Sequence, residues 1–404
     1  MGKLKALDEN LNINNRRIIL RIDLNVPMQN GNVADKSRIK KVIPIIKEFT
    51  NRKAKVILIS HLGRPKGKVD NKLSLKPMAP ILENLLSSKV YFFNKNYGSE
   101  VVEKSKKIKA GEVLLLENIR FNAGEEANDV TFAKELAKVG DIYVNEAFSC
   151  SHRAHASVYE ITKHIESYAG KLFSEEVNMI NMLTNKAKKP ISCIIGGSKI
   201  STKIGILTNL IKKMQVIVIV GAMANNFLKY KGYNIGKSLF EENQENLLKD
   251  IIKKCEKNNC KLIIPEDVIV AKGSYGAVTG LDKAKLKSLN KIDDDDLVLD
   301  IGENTVKKIC NIIDESKTIL WTGPAGYFEL DKFSVGSNEI AKKITENTKN
   351  KSLISIAGGG DTVAAINKSG CSDGFTYIST AGGAFLELLE GKILPGIKVL
   401  EKNE

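Results

Sequence analysis

Aromatic residues make up only 6% of this chain, with a single tryptophan, and they do not interleave with its many lysines. A single-stranded nucleic-acid binder needs such stacking platforms along a basic groove, so that reading is set aside. Cys150, Cys193, Cys255, Cys260, Cys310 and Cys371 form no C-x-x-C pair and no zinc-type spacing, which excludes a structural zinc site and reads as reduced thiols. The longest apolar run, VIVIV at 216–220, is too short to span a bilayer. The opening MGKLKALDEN lacks the apolar stretch of a secretion signal, so a cytoplasmic location is expected and a secreted two-domain binding protein is not. No G-x-G-x-x-G follows a strand, which leaves a dehydrogenase without its dinucleotide fingerprint. GYNIGKS at 232–238 has three residues between its glycines where a phosphate loop has four, and it reads as a turn.

What is present is a chain of 404 residues with 43% apolar content, long enough for two or three domains. Its net charge of +15 asks for an anionic partner. Arginine is absent after position 164. The arginines at 16, 17, 21, 38, 52, 64, 120 and 153 and all four histidines lie before it, while lysines are spread throughout. A chain that uses lysine for generic charge keeps arginine where a planar fork must grip carboxylate or phosphate.

Short β-branched runs alternate with amphipathic stretches of helical length, the pattern of a parallel α/β sheet. The first half gives strands at 17–22, 55–60, 112–117 and 141–145. The second gives 191–195, 216–220, 261–265, 318–321, 352–356 and 375–379. Between them GKLFSEEVNMINMLTNKAKKP, 170–190, is a long amphipathic helix and the candidate domain boundary. The acidic run at 293–296 reads as a solvated turn.

In open α/β sheets ligands bind beyond the carboxyl ends of the strands. Each first-half strand delivers polar residues there: Asp23 and Asn25, His61 and Arg64, Arg120, and Arg153, with Arg38 opening the helix after the first strand. The histidines at 61, 152 and 155 are read either as ligand-facing groups or as helix caps and satisfied core imidazoles. The ligand implied is a small molecule carrying phosphate and carboxylate. In the second half IIGGSKI (194–200), SIAGGGDT (355–362) and ISTAGGAF (378–385) place small residues between strand and helix, where backbone N–H groups close around phosphate oxygens. Lys199 and Lys203, one helical turn apart behind the first loop, point to a polyphosphate. Asp361 is either a hard oxygen ligand for a phosphate-bound Mg²⁺ or a cap for the helix. Glu329, closing WTGPAGYFE, is a partner for ribose hydroxyls.

RIDLNVP, SHLGRPKG, LLLENIRF, VNEAFSCSHRAHAS, GGSKISTKI, GGGDT and STAGGAFLELLEGKILPG resemble the signature segments of the phosphoglycerate kinase family, in its order, from about residue 16 to residue 400. The resemblance implies two Rossmann-like three-layer αβα domains with parallel sheets: an N-terminal 3-phosphoglycerate domain at 1–170, an interdomain helix at 171–186 and a C-terminal nucleotide domain at 187–390. The segment 391–404 would return to the first domain. It implies a monomer that acts on small molecules, with no nucleic-acid or membrane partner. 3-Phosphoglycerate or 1,3-bisphosphoglycerate would be held by Asp23, Asn25, Arg38, His61, Arg64, Arg120 and Arg153. ATP or ADP would be held by Gly197, Lys203, Glu329, Gly359, Gly360, Asp361 and Thr362, with Asp361 on Mg²⁺. Arg38, Lys199, Lys203, Gly359 and Gly382 would serve the transfer itself, after hinge closure about the helix.

The chain departs from the family pattern at named positions. Ala381 opens a loop that is usually three glycines, VGAMA at 220–224 stands for GGGMA, and Thr322 stands for Asn. Val298 replaces a frequent Gly, and Glu303 and Asn304 replace Pro-Lys. These are the places where base and ribose contacts would differ, with bulk added beside the nucleotide at 220–224 and 381. Glu146 for Asp and Ser149 for Gly are read as structural.

Overall fold

Strands buried on both faces read as continuous apolar runs, and those runs become two parallel sheets here. The computed structural model describes residues 2–29, 31–274 and 283–402. The chain divides into two compact units; one runs to Asn178 and resumes at Ile393, and the other spans Met179–Lys392.

The first unit holds a six-stranded sheet in the spatial order Val90–Phe93, Val113–Leu116, Lys55–Ile59, Arg17–Arg21, Ile142–Asn145, Ser167–Ala169. Every pairing in it is parallel. Period-two alternation sends Ile18 and Leu20 to one face, against Phe49 and Leu82, and Ile19 to the other, against Phe132 and Leu136. Helices cover both faces. The chain leaves the central strand Arg17–Arg21 in one direction and later returns to its other side with Ile142–Asn145, so a crevice opens beyond these two strand ends.

The second unit repeats the plan with Lys261–Ile263, Val216–Ile219, Ile191–Ile195, Thr318–Thr322, Ile354–Gly358 and Tyr377–Ser379, again all parallel. Its direction switches between Ile191–Ile195 and Thr318–Thr322. Ile194, Val218 and Trp321 pack on one face with Ile313 and Ile340, while Phe385 closes on Gly358.

Several features depart from the sequence reading. Val90–Phe93 and Ser167–Ala169 are additional strands, short and at the sheet edges. A three-stranded antiparallel sheet, Lys285–Ser288, Asp267–Lys272 and Asp296–Ile301, was not anticipated, because the KLKS strand is mostly exposed and carries no apolar alternation. The acidic run is a solvated turn only through Asp295. Asp296 is buried, and its Oδ2 accepts from Lys287 Nζ at 2.6 Å and from the Asp293 N–H at 2.7 Å. GKS at 236–238 remains a turn, with Ser238 Oγ accepting from the Val298 N–H. Among the described residues no helix is long and apolar enough to cross a membrane.

The α-helix Lys171–Asn181 continues as a π-helical turn, Met182–Lys186. Its start is fixed from within the first unit. Glu146, at the end of the strand Ile142–Asn145, accepts the Phe173 N–H at 3.1 Å, and a Cβ on Gly170 would stand 2.1 Å from Glu146 Oε2. Desolvation raises the Glu146 carboxyl to about 7, outweighing the N–H groups of Phe173, Leu172 and Lys171 that favour its ionised form. Since the folded state holds this proton more tightly than the unfolded chain, the contribution of Glu146 to stability is fully present below about pH 4.5. It is lost as pH rises through about 7. In urea unfolding, Glu146→Gln will therefore gain stability relative to the parent as pH rises across that window, by on the order of 3 kcal/mol at pH 8. A pH-independent difference between the two proteins would refute this role.

Candidate active site

Beyond the C-terminal ends of the first sheet, polar side chains fold back on one another. Asp23 Oδ2 accepts from Arg38 Nη1 at 2.9 Å and from Ser149 Oγ at 2.6 Å, and its Oδ1 accepts the Asn25 N–H at 2.9 Å. Arg38 Nη1 also donates to the Asn25 carbonyl at 3.0 Å, and Asn25 Oδ1 accepts the Gly63 N–H at 2.9 Å. Arg38 stands in the first turn of the helix Ser37–Asn51, so its half-buried guanidinium is anchored at one edge by Asp23.

Behind this ring lies Arg21, fully buried at the end of the central strand. It donates to Ile22 O at 2.5 Å, to Ser157 Oγ at 3.2 Å and to His61 Nδ1 at 3.1 Å. A guanidinium has no acceptor, so His61 Nδ1 must be the acceptor and its ring proton sits on Nε2. Burial, then the charges of Arg21 and Arg120, holds the imidazole well below its ordinary pKa and keeps it neutral. Ser157 relays Arg21 to the buried Glu125, donating Oγ–H and N–H to the carboxylate at 2.7 and 2.9 Å. Burial raises Glu125 while Arg21 opposes that rise.

Arg120 is 6% exposed, donates Nη1 to Gly63 O at 2.8 Å, and among the described residues its Nε makes no hydrogen bond. His155 is buried, and desolvation followed by Arg120 and Arg21 pushes it down to about 3. Thus Asp23, Asn25, Arg38, His61 and Arg120 converge through Gly63 and Arg21. Arg153 is joined to His152 Nε2 at 3.1 Å, and Arg64 is exposed with no hydrogen bond tying it to the others among the described residues. Arg21, Ser149, Ser157 and Glu125 were not among the anticipated site residues. The available signal was an arginine closing the buried run RIILR, since a buried charge needs partners.

At the second unit's switch point the chemistry is mostly backbone. Gly196 donates its N–H to Thr322 O at 2.8 Å, and a Cβ on Gly323, whose φ is +98°, would stand 2.3 Å from Gly196. A Cβ on Gly196 would in turn stand 2.4 Å from Pro324 O, so the first glycine of IIGGSKI is required by close strand-end packing, and Gly197 is the one that lines the cavity. That cavity, about 250 Å³, is walled by Leu228, Leu239, Val298 and Phe328 and edged by Gly197, Glu329 and Asp361. Asn225 also lines it; its Nδ2 donates to Leu239 O at 2.9 Å, and its buried Oδ1 is without a hydrogen bond among the described residues.

Lys203 lies beside Gly197, whose Cβ would stand 3.5 Å from Lys203 Cε; burial lowers its pKa and Asp361 opposes this. Lys199 is exposed and precedes the 3₁₀ turn Ser201–Lys203, so the two lysines are not one turn apart on a helix as anticipated. Gly359 is the N-cap of the helix Gly360–Lys368, which leaves the first N–H groups of 360–362 directed outward from its start. The Thr362 hydroxyl is committed within the protein, accepting the Gly323 N–H at 2.6 Å and donating to Gly358 O at 3.0 Å. Gly382 occupies the equivalent cap before Gly383–Leu389. Of the departures from family pattern, Val298 and Ala222 do line the cavity, whereas Val220 is in the core and Thr322 is buried. Bulk is therefore added at Ala222 and Val298 and not at Val220.

Comparison with known proteins gives one answer across the length of the chain. A profile of the phosphoglycerate kinase family matches residues 8–392. The chain is 46% identical over 400 residues to a phosphoglycerate kinase of Orientia tsutsugamushi (strain Ikeda), covering 99% of this chain and 98% of that one. It is 43% identical over 403 residues to that of Chelativorans sp. (strain BNC1), covering all of both. The structure of phosphoglycerate kinase from Coxiella burnetii superposes with a TM-score of 0.87 at 39% identity, over 97% of each chain. With sequence and fold in agreement from end to end, this chain belongs to the phosphoglycerate kinase family.

Proposed function

We propose that this chain transfers a phosphoryl group reversibly between ATP and the carboxylate of 3-phosphoglycerate, giving ADP and 1,3-bisphosphoglycerate in the glycolytic reaction of its family. The observation that carries the acceptor half is the joining of Asp23, Asn25, Arg38, His61 and Arg120 at one sheet edge. We assign these residues, with Arg64 and Arg153, to the 3-phosphoglycerate. His61, neutral with its proton on Nε2, donates a hydrogen bond to an oxygen of the ligand, and the arginines supply the charge.

The attacking group is itself a carboxylate, ionised at neutral pH with an ordinary pKa of about 3.5, so the site needs no general base. In-line transfer spreads negative charge over the moving group, and the protein's part is positioning and electrostatic stabilisation. We assign that stabilisation to Arg38 from the first unit and to Lys199, Lys203 and the N–H groups at 359–360 and 382–383 from the second. The nucleotide base takes the apolar cavity, its ribose Glu329 and its phosphates Gly197, Gly359, Gly360 and the Thr362 N–H. The exposed Asp361 carboxylate beside the cavity is a hard oxygen donor suited to Mg²⁺, which when bound neutralises phosphate charge. Domains at 1–170 and 187–390, a hinge at 171–186 that lets the two ligands meet, and a returning segment at 391–404 complete the reading. We place the protein in the cytoplasm as a monomer.

A coupled spectrophotometric assay with 3-phosphoglycerate and Mg-ATP tests the reaction: turnover should require both, and activity with either omitted, or none with both, would reject it. Arg38→Lys keeps the charge and loses the fork. Turnover should fall by about 10²-fold or more with the melting temperature nearly unchanged, and an equal loss of thermal stability would make Arg38 structural. Arg21 is expected to behave oppositely. Arg21→Met leaves Glu125 buried without its compensating cation and should cost about 3 kcal/mol in urea unfolding; a change under 1 kcal/mol would contradict the buried network.

A further inference from the structure

The helix Glu245–Lys257 ends in a Schellman turn. Asn259 adopts a left-handed φ of +51°, its N–H donates to Glu256 O at 3.2 Å, and the Cys260 N–H donates to Cys255 O at 2.9 Å. This pairing brings together the third residue from the helix end and the second beyond the cap, whose side chains ordinarily make an apolar contact. Here both are cysteines. The cap sets them side by side, and both line a cavity of about 510 Å³ walled by Phe227, Tyr230, Ile252 and Leu262. Each is at most 5% exposed, so this cavity is the route by which a small reagent reaches them.

We propose that Cys255 and Cys260 form a redox-active dithiol that a small hydroperoxide converts to an intramolecular disulfide. The backbone bond across the pair holds the two residues close enough for an S–S bridge with little movement. The adjacent Cys260 side chain favours the Cys255 thiolate, against the effect of burial, so Cys255 is assigned as the attacking sulfur. Its thiolate displaces at the peroxide O–O bond, forming a sulfenic acid, and the departing oxygen takes a proton to leave as water or an alcohol. The Cys260 sulfur then attacks the sulfenic sulfur, the S–S bond forms, and the hydroxyl leaves with the Cys260 proton as water. Two thiols lose two electrons in all, and the peroxide accepts both. None of the residues assigned to phosphoryl transfer takes part.

The sequence offers a direct test, because trypsin cuts after Lys254, Lys257 and Lys261 and so separates the two cysteines. The full-length protein is treated with hydrogen peroxide under native conditions, quenched with iodoacetamide, unfolded and digested. Mass spectrometry should find fragments 255–257 and 258–261 joined, with the link lost on reduction and two of the six thiols escaping alkylation. In Cys260→Ala the sulfenic acid should persist and be captured by dimedone at Cys255. The proposal fails if Cys255 goes to sulfonic acid while Cys260 stays alkylatable, or if Cys260 pairs instead with Cys193. It also fails if the linked fragments arise only in protein unfolded before oxidation.

Discussion

A guanidinium taken wholly out of water must find acceptors, and Arg21 finds them in three directions at the end of the central strand. The rest of the first unit's crevice is arranged around that requirement. By donating to His61 Nδ1, Arg21 fixes the tautomer of the imidazole, and its charge adds to burial in keeping the ring neutral. By way of Ser157 it sits opposite Glu125, a carboxylate that burial alone would drive towards its neutral form. The outer ring of Asp23, Asn25 and Arg38 is then built on a floor whose electrostatics are already set. The floor carries stability; the ring built on it is the part we assign to the 3-phosphoglycerate.

Among its described residues, the second unit answers the same topological problem without a fully buried cation, Lys203 being only partly buried. At its switch point two loops approach so closely that Gly196 and Gly323 have no room for side chains, and the nearby helix starts present N–H groups in place of guanidinium forks. Backbone amides suit the shared triphosphate chain of a nucleotide, and the apolar cavity beside them suits a base. A small anion with both phosphate and carboxylate is better gripped by planar forks. On the ligand assignment we propose, this division accounts for the confinement of arginine to the first part of the sequence while the second manages with lysine and glycine.

Legibility in the sequence followed the length and contrast of each signal. The central strands were plain because doubly buried parallel strands are unbroken apolar runs. Edge strands such as Ser167–Ala169 and the exposed KLKS strand were not, since partial burial leaves composition nearly unconstrained. Among site residues, those in loops after strands stood out by type and place. Ser149 in place of glycine reads as structural, and only the fold shows its partner, Asp23, which its hydroxyl reaches across 126 positions of chain. The reading of Val220 as bulk beside the nucleotide failed for a related reason: its position in the motif was visible, but the side chain's direction, into the core, was not.

By itself the sequence determined the alternating strand and helix plan, the separation of arginine-based from glycine-based chemistry, and family membership through ordered motifs, because these depend on residue type and local spacing. Only the tertiary structure decided which groups become neighbours: that burial and Arg21 keep His61 neutral, that Gly196 packs against Gly323 and Pro324, that Thr362 turns its hydroxyl inward, and that two cysteines meet across a helix cap. The reason is physical. Burial and long-range pairing set charge state and donor direction, and both depend on neighbours that the linear chain places far away.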